Sequence, residues 1–474
     1  MPSAVTVPVV PHQPSSLSLG GLLVLAFGAL DFGLESSIVL PALPVIAQQY
    51  DASLITVSWL ATGFLLASVV AVPVFGRLGD IFGRRLLMLV ALGAFAVGSL
   101  ICAWADSIGV LIAGRIVQGV GAAVGPLAVG IARDALPREQ LTAAIGILVG
   151  ASGAGAAIGY VMSGLLVDQL SVDAIFWFLL GLSLVLLAAA TVLIPTAPRG
   201  AHVPVDFAGA ALIASGLAAL LLAISKGNDW GWTSGGTLGL FAGSAALLAA
   251  FAVVETSVRH PLVDLALVAR PPFPNAIACA FAVGYAFAVA VIVVPPLAAL
   301  PAVTGYGLGY STTSTGLLLV PMAVTSIAAA WVAGRHVDRV GPRALMATGS
   351  AAAVAGYVSL TIEHGTAAAI AAATGALGVA VGLTVTGILS LVARSPTLDK
   401  TSVAIAVNAV TRTTGSAVGA AAAAAMLTSA IAVGPIPAES GFTDCFTMGA
   451  IASGAALLAA ALLPGRAPAG DQSA

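Results

Sequence analysis

The sequence predicts an all-α polytopic membrane protein, two six-helix bundles plus two inserted helices, and three observations carry that prediction. Of 474 residues, 59% are hydrophobic and 8% are charged, with a mean hydropathy of +1.09, far above a soluble domain. The apolar residues fall into fourteen runs long enough to cross a bilayer as helices. A polar decapeptide also occurs twice. Gly76-Arg77-Leu78-Gly79-Asp80-Ile81-Phe82-Gly83-Arg84-Arg85 is echoed by Gly334-Arg335-His336-Val337-Asp338-Arg339-Val340-Gly341-Pro342-Arg343. Glycine, arginine, aspartate, glycine and the last arginine stay in register at an offset of 258 residues. Two copies of one loop imply two copies of one bundle.

Residues 1–17 are rich in Pro, Ser and Val and contain no Lys or Arg. They lack the basic start of a cleavable signal and are expected to be a cytoplasmic tail. Apolar runs at 18–40, 54–75, 86–104, 109–131, 141–166 and 174–195 make the first bundle, residues 18–195. Runs at 206–225 and 236–256 make an inserted pair, residues 206–256. Runs at 274–297, 313–334, 344–362, 366–392, 402–428 and 446–463 make the second bundle, residues 274–463, before a cytoplasmic tail at 464–474. Basic residues check the count. With a cytoplasmic N-terminus and fourteen helices, fourteen of the seventeen Lys and Arg fall inside, and only Lys226 falls outside. Arg115 and Arg412 lie within helices. The positive-inside rule is thus met, and one helix more or fewer would spoil it.

Several function classes are excluded. The chain has no basic surface suited to nucleic acid. Cys102, Cys279 and Cys445 are scattered, which suggests neither a disulfide framework nor a metal site. The five histidines lie near helix ends or in loops without metalloenzyme spacing. Gly305-Tyr306-Gly307-Leu308-Gly309 lacks the strand–helix context of a nucleotide loop and is a flexible connection. No enzyme, metal or cofactor is expected.

The first decapeptide resembles the loop between the second and third helices of the major facilitator superfamily, roughly G-x-L-a-D-x-x-G-R-[RK]. Its gating residues would be Gly76, Arg77, Asp80, Gly83, Arg84 and Arg85, with Asp338 in the second copy. Physically, glycines let helix ends approach closely. Arginines stay on the cytoplasmic side, and an aspartate can pair with them or with a helix N-terminus. The plain alternative is a topogenic basic loop. The inserted pair, and His260-Pro261-Leu262-Val263-Asp264-Leu265 before the ninth helix, resemble the fourteen-helix drug:proton antiporter family.

Charges inside helices are costly and are functional candidates. Asp31 and Glu35 lie one turn apart on the first helix and share a face. Two carboxylates so close in a low dielectric repel, so one is expected to hold a proton. The segment Leu34-Glu35-Ser36-Ser37-Ile38-Val39 fits the family's first-helix acid pattern. Leu30-Asp31 fits it one turn earlier, and the residues leave both registers open. Arg115 and Gln118 lie in Arg115-Ile116-Val117-Gln118-Gly119-Val120-Gly121, similar to the fourth-helix motif R-x-x-Q-G-x-G. The resemblance implies that Arg115 takes part in proton coupling; a static ion pair ordering the bundle is the alternative. Gly146, Gly155, Gly159 and Gly164 match the fifth-helix antiporter motif, with Tyr160 at its proline place and Ser163 at a glycine place. Small residues there allow close helix packing. Arg412 heads Arg412-Thr413-Thr414-Gly415-Ser416-Ala417-Val418-Gly419, and packing and cavity roles are both open for it.

The resemblance implies a monomeric exporter in the cell (inner) membrane of a bacterium, both termini cytoplasmic. It would exchange protons for lipophilic small molecules, cations among them, with the proton gradient as its energy source. An exporter of lipids or metabolites without proton coupling, or a non-transporting sensor or scaffold, stands as the alternative.

Overall fold

The computed structural model of the chain describes residues 17–195, 207–258, 273–393, 401–431 and 436–463. In chain order, α1 is Leu19–Ser37, α2 the short Leu43–Gln49, α3 Leu54–Phe82 and α4 Arg84–Ala103. A single 3-10 turn, Gly121–Ala123, joins α5 (Ile108–Val120) to α6 (Val124–Ala135). Then follow α7 (Arg138–Gln169), α8 (Val172–Leu193), α9 (Phe207–Trp230) and α10 (Gly235–Ser257). The second half holds α11 (Phe273–Ala299), α12 (Thr312–Val340), α13 (Pro342–Ile362), α14 (Ala367–Ala393), α15 (Thr401–Ser429) and α16 (Glu439–Ala461). Among the described residues, twelve helical segments are long and apolar enough to cross a membrane, with Ile108–Ala135 counting as one. Helix α9 offers a shorter apolar stretch, Ala208–Ile224. Helix α15, which carries Arg412, lies outside the twelve.

Serines start five of these helices. Ser18, Ser53, Ser171, Ser234 and Ser311 each accept a hydrogen bond from the backbone N–H three residues on, satisfying a donor that the first helical turn leaves open. The repeated decapeptide differs from its expectation as a loop. Helix α3 continues through it to Phe82, and α4 starts at Arg84. Gly83 alone turns the chain, at φ 100°. The second copy does the same: α12 runs to Val340, Gly341 turns at φ 86°, and α13 starts at Pro342. The region of positive φ is open to glycine at little cost, so one residue suffices where a longer loop was expected.

In the first half, α1 packs along α7, while α5 lies against α3 and α4, and α8 against α4. In the second half, α11 packs on α15 and α16, α12 on α14, and α13 on α14 and α16. Two long contacts join the halves, α7 along α12 and α3 along α15, and the short α2 also touches α11. The α9–α10 hairpin sits outside this seam, with α9 touching both α3 and α15. Asn228 on α9 fastens it there by donating to the Ala425 carbonyl.

Glycines set the closest approaches. A side chain at Gly155 or Gly159 would strike Leu30 or Ser37 on α1, and one at Gly164 would strike the Thr313 backbone on α12. Gly316 on α12 meets Tyr160 of α7 in the same way. Next to that contact, the Asp168 carboxylate accepts from the N–H groups of Thr312 (3.2 Å) and Thr313 (2.9 Å). An acid from one half thereby caps a helix of the other.

The apolar cores show which end is shut. One cluster spans both halves and includes Leu34, Ile38, Tyr160, Val291, Leu318 and Ala424. Toward the Gly83 and Gly341 end, two clusters stay separate. One holds Leu25, Met88, Phe95 and Leu127 from the first half; the other holds Cys279, Met346, Ile388 and Ala456 from the second. The halves share one core at the Asp168 end; toward the other end their cores are separate, and two small clusters, Val69 with Leu217 and Val410, and Leu221 with Ala417 and Ala421, link them through α9.

Candidate functional site

Helix α5 is pinned between two neighbours by its glycines. Gly114 packs on Cys102 of α4, and Gly119 on the Phe64 carbonyl of α3. Arg115 and Gln118, between them on α5, are therefore directed into the first bundle, at 1% and 0% exposure. Asp31 and Glu35 of α1 are both at 0%.

The Arg115 guanidinium is the hub. Its Nε donates to the Leu60 carbonyl (3.1 Å), and its Nη1 donates to the Glu35 carbonyl (3.1 Å) and to Gln118 Oε1 (2.8 Å). It also lies over the Phe64 ring, 4.6 Å from the centroid, a favourable position for a cation. Gln118 Nε2 donates to Ser99 Oγ (2.8 Å). Ser99 Oγ lies 2.7 Å from the Phe95 carbonyl and 3.4 Å from Glu35 Oε1. The carboxylate of Glu35 is held less firmly than its backbone. Its Oε2 is 3.7 Å from Arg115 Nη1, a charge contact beyond hydrogen-bond length, and it accepts no hydrogen bond. Neither carboxylate oxygen of Asp31 has a hydrogen-bond partner among the described residues.

Glu35, Arg115 and Gln118 thus come together in one network, with Asp31 one turn away on the same helix face. A cation held by two carbonyls and an amide can keep its place while a nearby carboxyl gains or loses a proton. Ser99, Phe64 and the Leu60 carbonyl complete the network without a sequence signal. A serine in an apolar helix is common, and a carbonyl has no residue type. Arg412 lies elsewhere, on α15 of the second half.

Of the decapeptide residues, Arg84 donates to the Gly130 carbonyl (3.0 Å) and pairs with Asp134, and Arg85 donates to the Thr191 carbonyl. Both arginines thereby tie α4 to the ends of α6 and α8. The side chains of Arg77, Asp80 and Asp338, and the packing at Gly146, lie outside the described residues. Among the described residues no group of His, Cys, Asp and Glu is arranged to hold a metal.

A family model described as the Major Facilitator Superfamily matches residues 25–420. The chain belongs to this superfamily. The transporter is 32% identical over 369 residues to the tetracenomycin C resistance and export protein of Streptomyces glaucescens, covering 75% of this chain and 67% of that one. It is 27% identical over 401 residues to the multidrug resistance protein Stp of Mycobacterium tuberculosis, covering 84% and 74%. It spans about half the length of some other relatives, such as the probable actinorhodin transporter of Streptomyces coelicolor, of which it covers 52%. The structure of the human organic anion transporter MFSD10 (TETRAN) superposes with a TM-score of 0.62 over 96% of this chain and 100% of that one. At 17% identity that likeness concerns the fold alone. The protein is therefore a multi-pass membrane transporter of the facilitator type, not an enzyme, with homologues named as drug and antibiotic exporters.

Proposed function

We propose that this transporter exports lipophilic small molecules by alternating access, and that it exchanges them for protons taken up through Asp31 and Glu35. The supporting observation is the placement of two carboxyls, one turn apart and both at 0% exposure, with Glu35 beside the Arg115 cation. An ionised carboxylate at Asp31 would sit in the membrane interior without a donor, at a cost of several kcal/mol. Its carboxyl is therefore protonated in this arrangement. Glu35, with Oε2 at 3.7 Å from Arg115 Nη1, is the acid that has a cation to offset its charge. Opening the Asp168 end would admit water to the acids and change which of them holds the proton. Export by the named homologues supports the direction of transport, and the chain would work as a monomer in the inner membrane with both termini cytoplasmic.

The test is flux in proteoliposomes carrying an imposed pH gradient, using a panel of lipophilic dyes. The wild type should accumulate dye against its gradient. The double variant Asp31→Asn/Glu35→Gln should reach the membrane and fail to do so. Accumulation by the double variant would place the coupling elsewhere. Of the single variants, at least one should lose the response to the gradient. Glu35→Gln is the expected one if the proton passes through the acid that faces Arg115.

A further inference from the structure

The charges buried among the described helices do not balance within each half. In the first half Arg115 faces Glu35, and the carboxyl of Asp31 is close by in sequence and face. In the second half Arg412 sits along α15, partly buried, and no carboxylate among the described residues lies against it. The described acids of that half, Glu363, Glu439 and Asp444, are near helix ends, and the only ion pair among them there is His364 with Glu439.

Two features hold Arg412 in place and mark its surroundings. Helix α15 is locked to α11 at this level. Gly284 leaves room only for the Arg412 carbonyl, and Ser416 Oγ donates to the Gly284 carbonyl at 3.0 Å. Asn408, one turn earlier and on the same face, is 6% exposed, and its Oδ1 has no hydrogen-bond partner. An amide can be placed either way round, so Asn408 brings one unsatisfied polar end one turn from an arginine that no described carboxylate faces. Val410 and Ala417 pack toward α3 and α9, and Arg412, on the other side of α15, is left partly exposed. A buried cation with no counter-ion is costly.

We propose that Arg412 and Asn408 form an anion-binding subsite in the transport cavity, and that the favoured cargo is an organic anion with an apolar body. The proposal rests on the reading of the protein as an exporter and narrows its substrate class away from cations. The guanidinium supplies a planar pair of donors to a carboxylate, sulfonate or phenolate, Asn408 supplies a further polar contact, and the small apolar residues of α11 and α15 accommodate the rest.

The experiment compares three fluorescent probes on purified full-length protein in neutral detergent: pyrenebutyrate, the neutral pyrenebutanol and the cation ethidium. A charge-assisted contact of this kind contributes about 1.5–3 kcal/mol, so the wild type should bind pyrenebutyrate roughly tenfold or more tighter than pyrenebutanol. Arg412→Gln should lose that preference while pyrenebutanol affinity stays the same. Arg412→Lys should keep part of it, and Asn408→Ala should weaken it by a smaller factor. Equal binding of anion and alcohol by the wild type, or an undiminished anion preference in Arg412→Gln, overturns the subsite. Tighter binding of ethidium than of pyrenebutyrate overturns it too. Arg412→Lys guards against misfolding, because it keeps the charge; a variant that melts like the wild type and loses the alcohol as well as the anion also counts against the subsite. Failure of proton coupling is read separately. If the anion preference holds but no probe responds to a pH gradient in proteoliposomes, the coupling proposal falls and the subsite stands.

Discussion

Arg115 makes more contacts than an ion pair needs. Its Nε and Nη1 serve Leu60, Glu35 and Gln118 at once, and only a guanidinium offers donors in that fixed fork. Arg115→Lys keeps the charge but loses the geometry, so it should keep part of the stability and lose most of the gradient-driven flux. Arg115→Ala leaves Glu35 buried with no cation, and breaking a buried pair in this way costs about 3–5 kcal/mol. Thermal melting in detergent should order the three as wild type, Arg115→Lys, Arg115→Ala. Equal melting of wild type and Arg115→Ala would show that the charge contact at 3.7 Å contributes nothing. Gly83 belongs to the same scale. At φ 100° an alanine is strained by ~1–2 kcal/mol, and Gly341→Ala at φ 86° should lower the melting temperature to a similar degree. A clear difference between these two variants would separate the two copies of the turn energetically.

Among elements, α7 and α12 decide how the halves meet. Gly164 lets α7 press on the Thr313 backbone, and Asp168 beside it caps α12 from across the seam. That cap exists only while the halves are joined at this end. Removing a cap of this type costs ~1 kcal/mol, so Asp168→Ala should move the population of this closed arrangement by about five-fold. Gly164→Leu should move it further, since its side chain would collide with backbone. Both effects are measurable as increased labelling of a cysteine introduced at Thr315, which is at 1% exposure in the closed arrangement. Unchanged labelling in both variants would show that the seam is held by the apolar cluster alone.

At the scale of the whole molecule, the charge distribution sets the orientation. The described arginines at the Gly83 and Gly341 end include Arg84, Arg85 and Arg339, whereas Lys226 lies on α9, two residues before the Asn228 anchor on Ala425. Basic residues are retained on the cytoplasmic side, so the proposed orientation has the Asp168 end facing out. Cysteines placed at Ser311 or Ser440, both exposed at that end, should react with an impermeant maleimide in intact cells, while cysteines at Ala201 or Thr397 should not. Outside labelling at Thr397 would overturn the fourteen-helix topology.

The architecture was legible in the sequence because it follows from properties that add up along the chain. Apolar run length reports bilayer thickness, and the 258-residue offset of the decapeptide reports the internal repeat. The candidates Asp31, Glu35, Arg115 and Gln118 were also legible, because a polar group inside an apolar run is costly enough to stand out by type alone. Pairing was not legible. Which acid faces Arg115, and that Asp31 has no hydrogen-bond partner among the described residues, depends on how α1, α3, α4 and α5 rotate against one another, and glycine contacts such as Gly114 on Cys102 and Gly119 on Phe64 set that rotation. The decapeptide read as a loop because its polarity is local, yet α3 keeps its backbone hydrogen bonds through it and leaves the turn to Gly83. No motif in the sequence points to Asp168, and packing and cavity roles were both open for Arg412. Contacts between halves more than a hundred residues apart in sequence gave the one two N–H partners and left the other without a carboxylate. Residue type alone determined the cost of burying each charge; only the tertiary structure decided which of them is compensated, because compensation depends on distance and burial in three dimensions.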